Sequence, residues 1–388
     1  MSLNKYPLAS STWDHNELDA IKRVIDSDRY TMGENVQKFE KRFSKYLKRK
    51  YSVMVSSGSA ANLISIASLF YCSNPLQFGD EVIVPAVSWS TTYFPLQQFG
   101  LRVKFVDIDR HTLNYDLNAL KSAISKKTKL IVVVNLLGNP NDFDEIFNII
   151  SGKQIKIFED NCESLGSEYK NKKTGTFGDV STFSTFFSHH ISTMEGGFVT
   201  TDDEEIFHLL LSLRAHGWTR DLPKENLLVK KNSNLFYESF RFILPGYNVR
   251  PLEFSGAIGL EQIKKLDKFI KIRRENAKYF QELFDSNEHF IIQEEISESS
   301  WFGFSLVIKD SSSKKRDDIV SLLKKNGIES RPIVAGNFTK NEVIKFFNYD
   351  IHKRLVNSDL IHNNGFFVGN HHYCLKEQLN MLLEILSN

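Results

Sequence analysis

The chain has 388 residues, 41% of them hydrophobic, with 49 Lys and Arg against 47 Asp and Glu. That is ample for a large core and two or three domains, and the near-balanced charge gives no bulk drive towards nucleic acid or an anionic membrane. Three scattered cysteines, Cys72, Cys162 and Cys374, fit neither a disulfide framework nor a four-thiolate iron–sulfur cluster.

The N-terminal stretch MSLNKYPLASSTWDHNE has no basic region followed by an apolar one, so no secretory leader is expected. With so few cysteines this points to a reducing, cytoplasmic setting. Apolar runs such as LIVVV at 130–134 are far shorter than the roughly 18 residues of a spanning helix. In GENVQKFEKRFSKYL, Val36, Phe39, Phe43 and Leu47 share one helical face. From about 51 to 202, short apolar runs alternate with helix-period segments. YSVMVSS reads as a strand and SAANLISIASLF as a helix. DEVIVPAVSW is a strand, followed by a helix through TTYFPLQQFG whose proline is read near the first turn. RVKFVDID, TKLIVVVNL, IKIFEDN, VSTFSTF and GGFVTTDD read as strands, LNALKSAIS and FDEIFNII as helices. Such alternation predicts an α/β fold with a mostly parallel sheet covered on both faces. One long helical region is expected from about 252 to 285. The tail then turns to a strand-like WFGFSLVI, a helix in RDDIVSLLKKNG and the stretch SRPIV. The expected division is a large domain at 1–255, with an N-terminal helical segment, and a smaller α+β domain at 256–388.

Four stretches carry polar chemistry. In MVSSGSAAN, Ser57, Gly58 and Ser59 stand where a strand turns into a helix. Free amides and the positive end of the dipole there hold a phosphate, although an ordinary Ser-capped helix gives the same pattern. In IKIFEDNCES, Asp160 ends a buried strand and Glu163 follows three residues on. Carboxylates at such strand ends point into the ligand crevice of a parallel sheet or cap the next loop. FSTFFSHHISTMEGG offers Ser184 and Ser188 as hydroxyl donors, the neighbours His189 and His190, and a Gly196-Gly197 turn. GYNVRPLEFSGAIGLEQ places Asn248 and Arg250 before a proline-led helix. An arginine there clamps a carboxylate or a phosphate, or simply meets solvent.

In this order, SSGSAAN, VPAVSWSTT, FVDID, NLLGNP, EDNCES, TFG, FSTFFSHH with EGG, RAHGWTR and GYNVR resemble the DegT/DnrJ/EryC1 sugar aminotransferases. These are pyridoxal-phosphate (PLP) enzymes of fold type I, like aspartate aminotransferase. The resemblance runs from about residue 6 to the C-terminus. It implies Gly58 and Ser59 as the phosphate turn, Trp89 as the ring that stacks on the pyridine and Asp160 as the partner of the pyridine nitrogen. It also implies Glu163 as a nearby cofactor contact and Ser184 as a phosphate ligand. Asn248 would reach the phosphate from a second protomer, so a homodimer with shared sites is implied. His216, Arg220, Arg250 and Arg331 become candidates for substrate contacts, with Asn337 nearby and residues 220–240 as a covering loop.

One position departs from the family. Six residues before Glu195 of EGG, where the family carries its cofactor-bearing lysine, stands His189. An imidazole forms no stable imine, so the cofactor would be held noncovalently as PLP or pyridoxamine phosphate (PMP). His189 would then act as acid and base, with an ordinary pKa of about 6.5 suited to both. The chain resembles in particular the family branch with SHH at this place, sharing YPLASSTWD, VPAVSWSTTY and RPIVAGN. That branch implies PMP-dependent removal of the C3 hydroxyl from a GDP-linked 4-keto-6-deoxymannose. L-glutamate would regenerate PMP, and the product would feed colitose and O-antigen synthesis. The alternative is a nucleotide-sugar 4-aminotransferase of the perosamine-synthase kind. No metal, nucleic acid or membrane partner is expected.

Overall fold

The computed structural model describes residues 5–387, so the first four residues of the stretch read as lacking a leader lie outside it. Two helices come first, α1 (His15–Asp26) and α2 (Glu34–Leu47). Asp14 and Glu17 close a capping box at the start of α1. Next come β1 (Tyr51–Val55), α3 (Gly58–Tyr71), β2 (Glu81–Pro85), α4 (Ser90–Gln98), β3 (Arg102–Val106), α5 (Leu117–Ala123), β4 (Thr128–Val134), α6 (Phe143–Ile150) and β5 (Lys156–Asp160). A small hairpin, β6 (Glu168–Tyr169) and β7 (Lys172–Lys173), precedes β8 (Val180–Ser184), β9 (Gly197–Thr201) and α7 (Glu204–Arg214).

The main sheet has eight strands in the order β1, β9, β8, β5, β4, β2, β3 and a last edge strand, β13 (Tyr349–Ile351). Only β9 runs antiparallel to its neighbours β1 and β8; the other pairs are parallel. Strands β2 and β4 are mostly apolar and buried on both faces, and β5 is buried too, although it ends in Glu159 and Asp160. One face packs against α3, α4 and α7, the other against α5 and α6. The apolar face of α2 meets β8 and β9, with Phe43 stacked on Phe198 at 4.0 Å between ring centres. Each buried ring there contributes about 1.5–3 kcal/mol of hydrophobic stabilisation.

After a short helix α8 (Leu235–Glu238), the long helical region is two helices, α9 (Glu253–Gln262) and α10 (Leu266–Phe284), broken at residues 263–265. α9 is buried along most of its length against α1 and α2. α10 instead presents one apolar stripe, whose Leu266, Phe269 and Ile270 join the core under α2 and whose Ala277, Phe280 and Phe284 join that of the second body. That body holds an antiparallel sheet of β10 (Phe290–Ile292), β11 (Gly303–Ile308), β12 (Ser330–Arg331) and β14 (Gly365–Gly369), in the order β10, β11, β14, β12. Its helices are α11 (Arg316–Lys325), α12 (Val356–Asn364) and α13 (Lys376–Ser387). Segments cross the expected boundary both ways: β13 joins the large sheet, and Tyr6 is buried in the second core with its hydroxyl on Gly369 O at 2.6 Å.

Two local details position the site. Pro95 is the sixth residue of α4, not in its first turn as the sequence suggested. A proline there offers no N–H to the carbonyl four residues back. Thr91 O accepts instead from Asn62 Nδ2 of α3, at 3.2 Å. Secondly, Trp301 and Phe302 lie outside β11, in a strap where Trp301 has φ 48. Ser300 N donates to Gly138 O at 3.1 Å and Phe302 N to Leu137 O at 2.9 Å.

Candidate active site

A cavity of about 420 Å³ opens where β2, β4, β5 and β8 end, walled on the far side by Phe302, Arg331, Pro332 and Phe367. Parallel sheets bind ligands at this edge. Of the residues singled out in the sequence, Gly58, Ser59, Trp89, Asp160, Glu163, Ser184, His189 and Arg331 all line it.

One end is built for an anion. Ser57 caps α3 by accepting from Ala60 N at 3.1 Å. As in any helix, the first amides, those of Gly58 and Ser59, have no intrahelical acceptor. Ser59 Oγ donates to Thr91 Oγ1 at 3.0 Å, and Ser184 Oγ accepts from Phe186 N at 3.2 Å, leaving its proton to donate. Gly58 is required by packing: a Cβ there would stand 2.8 Å from Ser184 Cβ and 3.0 Å from Cys162 Sγ. Gly197 has the same role opposite, where a Cβ would meet Ser57 O at 2.4 Å.

Asp160 is buried and accepts three hydrogen bonds: from Thr92 Oγ1 at 2.8 Å, Asn62 Nδ2 at 3.1 Å and Cys162 N at 3.1 Å. These fix its plane. Asn62 is fixed in turn by Thr182, whose hydroxyl donates to Asn62 Oδ1 at 2.6 Å. Glu163 Oε2 accepts from Leu137 N at 3.0 Å. Enclosure by protein pushes its carboxyl up to about 7; the Leu137 amide opposes this and the Asp160 charge adds to it. Trp89, at the N-cap of α4, leaves 57% of its surface open to the cavity and solvent.

His189 sits in the loop joining β8 to β9. Thr185 N donates to Gly196 O at 2.9 Å and Phe187 N to Met194 O at 3.0 Å, closing that loop on itself. The imidazole lies edge-on to Phe302, ring centres 5.1 Å apart, and to Phe186 at 6.0 Å. Burial, with a like charge on Arg273, holds it down at about 4, against the pull of the Phe186 backbone. The ordinary value expected from the sequence is therefore corrected: the ring is neutral throughout the physiological range. His190 is 1% exposed and faces away, its Nε2 on Ser300 O at 3.1 Å. Among the described residues, no lysine lines the cavity.

His216, Arg220, Asn248 and Arg250 do not line this cavity. They gather around Trp218: His216 is 5.1 Å from it between ring centres, and the guanidinium groups of Arg220 and Arg250 lie 4.1 and 5.5 Å from its ring centre. Arg250 Nε donates to Asn248 Oδ1 at 3.0 Å. Beside them Leu235, Phe236, Phe240 and Phe242 are exposed. Asn337 is buried, donates to Asp359 Oδ1 at 2.7 Å, and does not reach the cavity. Sequence reading missed Asn62, Thr92 and Phe302. Asn62 stands one helical turn after Gly58, and Thr92 three residues after Trp89, spacings that place each on the same helical face. Phe302 left no signal, because it reads as the start of a strand.

A 3-dehydratase of GDP-4-keto-6-deoxy-D-mannose from Yersinia pseudotuberculosis is 60% identical over 384 residues, covering 98% of each chain. The solved structure of the E. coli GDP-4-keto-6-deoxy-D-mannose-3-dehydratase with bound hydrated PLP matches with a TM-score of 0.98 at 57% identity, across 99% of this chain and 100% of that one. A structure of GDP-4-keto-6-deoxymannose-3-dehydratase with a trapped PLP–glutamate geminal diamine matches at 0.97 and 57%, across 98% and 100%. Both share the large mostly parallel sheet, which is the aminotransferase fold. Residues 11–387 match the DegT/DnrJ/EryC1/StrS aminotransferase family, and with the anion cradle, Asp160 and Trp89 gathered in one cavity, the chain belongs to that family.

Proposed function

We propose that this chain is a vitamin-B6-dependent dehydratase. It removes the C3 hydroxyl from GDP-4-keto-6-deoxy-D-mannose to give GDP-4-keto-3,6-dideoxy-D-mannose, with L-glutamate as amino donor. The observation that carries this reading is His189 in a cavity that contains an anion cradle and a fixed carboxylate but no lysine.

The residues fit PMP or PLP. Gly58, Ser59, Thr91 and Ser184 would hold its phosphate, Trp89 would cover its ring, and Asp160 would face the ring nitrogen. When bound, the group supplies an amine for the C4 ketone and a ring that takes up electrons. His189 supplies the proton traffic. Neutral at physiological pH, it would be free to accept a proton from the bound group beside its amine. Because the same burial disfavours its charged form, it readily passes that proton to the departing C3 oxygen. Glu163, with a carboxyl near 7, holds or releases a proton beside the ring. Arg331 reaches the mouth from the opposite wall.

Asn248, Arg220, Arg250 and His216 enter this scheme from a second protomer. The exposed Leu235, Phe236, Phe240 and Phe242 form an apolar surface of the kind that subunit contacts cover. The shared-site homodimer rests on that surface and on the absence of Asn248 from the lining of its own chain's cavity. A cytoplasmic setting fits the three free cysteines.

The test is product analysis. Purified protein with PLP, glutamate and GDP-4-keto-6-deoxymannose should release ammonia and a 3,6-dideoxy ketosugar. Accumulation of a GDP-linked 4-amino sugar would establish the aminotransferase reading instead.

A further inference from the structure

Arg273, on α10, is 4% exposed, and its guanidinium donates through Nη1 to the carbonyls of Trp301 (3.4 Å) and Phe302 (3.2 Å). Its Nε has no partner, and among the described residues no carboxylate pairs with it. Burial brings it down to about 10, which still leaves it charged at neutral pH. An uncompensated buried cation is costly. A second donor reinforces the same strap: Asn370 Nδ2 bonds Trp301 O at 2.9 Å and the Arg273 carbonyl at 3.0 Å. The strap carries Phe302, whose ring edge meets His189. Its amide holds Leu137, and Leu137 N holds Glu163.

We propose that Arg273 is a positioning residue for His189. By clamping the Trp301 and Phe302 carbonyls, it seats the Phe302 ring against the imidazole and sets where the ring nitrogens point in the cavity. Its charge acts in the same direction as its geometry, since a cation behind the imidazole opposes protonation of the resting base. The other charged groups that line the cavity with the imidazole are Asp160 at the end of β5, Glu163 beyond it, Glu195 before β9 and Arg331 on β12.

This rests on His189 being the base, so the experiment separates the two ideas. Arg273→Met, Arg273→Lys, Phe302→Leu and His189→Asn are compared by steady-state kinetics and by NMR titration of labelled histidine rings. Arg273→Met should raise the His189 midpoint by roughly half to one unit, since burial, the larger cause, remains. It should lower kcat about ten- to a hundredfold with KM within about twofold. Arg273→Lys keeps the charge, so its midpoint should stay near that of the parent while kcat recovers only in part. Phe302→Leu keeps the clamp but loses the ring, so kcat should fall with little change in midpoint; it also covers the case in which Arg273→Met does not fold. An Arg273→Met protein that folds with the parental midpoint and kcat overturns the proposal. So does a Phe302→Leu protein with parental kcat. If His189→Asn keeps full activity, the base assignment itself fails, whatever Arg273 does.

Discussion

Replacing Asn62 by Leu tests how the site is built. Asn62 is 2% exposed and makes three hydrogen bonds, to Thr91 O, Asp160 Oδ2 and from Thr182 Oγ1. Leucine keeps the volume and loses all three. Asp160 Oδ2 still has Thr92, but the Thr91 carbonyl and the Thr182 hydroxyl lose their partner. Each stranded buried group costs about 1–3 kcal/mol, so the variant should lose about 2–6 kcal/mol in denaturant unfolding and bind PLP more weakly. The Thr91 share of that cost exists only because Pro95 has no N–H. In a Pro95→Ala background an amide returns to Thr91 O, and Asn62→Leu should cost about 1 kcal/mol less there than in the parent. Strictly additive effects across this four-protein cycle would refute the claim that Asn62 stands in for the missing amide.

His189→Asn should fold and bind cofactor normally but lose about 10²–10⁴-fold in kcat, measured by ammonia release. Glu163 has a folded pKa of about 7, raised above its unfolded value, so its proton supports the fold below about pH 4.5 and that support is lost as pH rises through 7. Glu163→Gln should therefore be more stable than the parent at pH 8, by at most about 3 kcal/mol, and no different at pH 4; equal curves at both pH values would contradict the burial argument. Finally, inactive His189→Asn and Asn248→Ala proteins, mixed and allowed to exchange subunits, should recover about a quarter of parental activity. A shared site makes one of the two sites in each mixed dimer intact, whereas sites built within one protomer recover nothing.

Much of the scaffold was legible because its causes are local. The apolar runs of β2 and β4 announce strands buried on both faces, and SSGSAAN announces a capped helix after a strand. Glu195 with its two glycines fixes the register that singles out His189. What was misread depended on distant partners. Pro95 looked like a first-turn proline, since nothing local shows that Asn62 repairs the bond it removes. The region 252–285 is helical as expected, but its break at 263–265 left no signal, since it falls where burial changes from all-round in α9 to one stripe in α10. The small strand β13 escaped notice because an edge strand of three residues has too little pattern.

The sequence by itself supplied the candidate groups: a Ser-Gly-Ser turn into a helix, a carboxylate at the end of a buried strand, and His189 in the register of Glu195 and its two glycines. Their expected roles towards a cofactor came from the resemblance to the family. Tertiary structure alone decided the state of that histidine. Its burial, the Phe302 edge and the charge of Arg273 come from segments some 80 to 110 residues away. They lower its proton affinity because desolvation and a like charge both oppose the imidazolium. Tertiary structure also left Asn248, Arg220 and Arg250 off the lining of their own chain's cavity, a spatial fact that spacing in sequence does not encode.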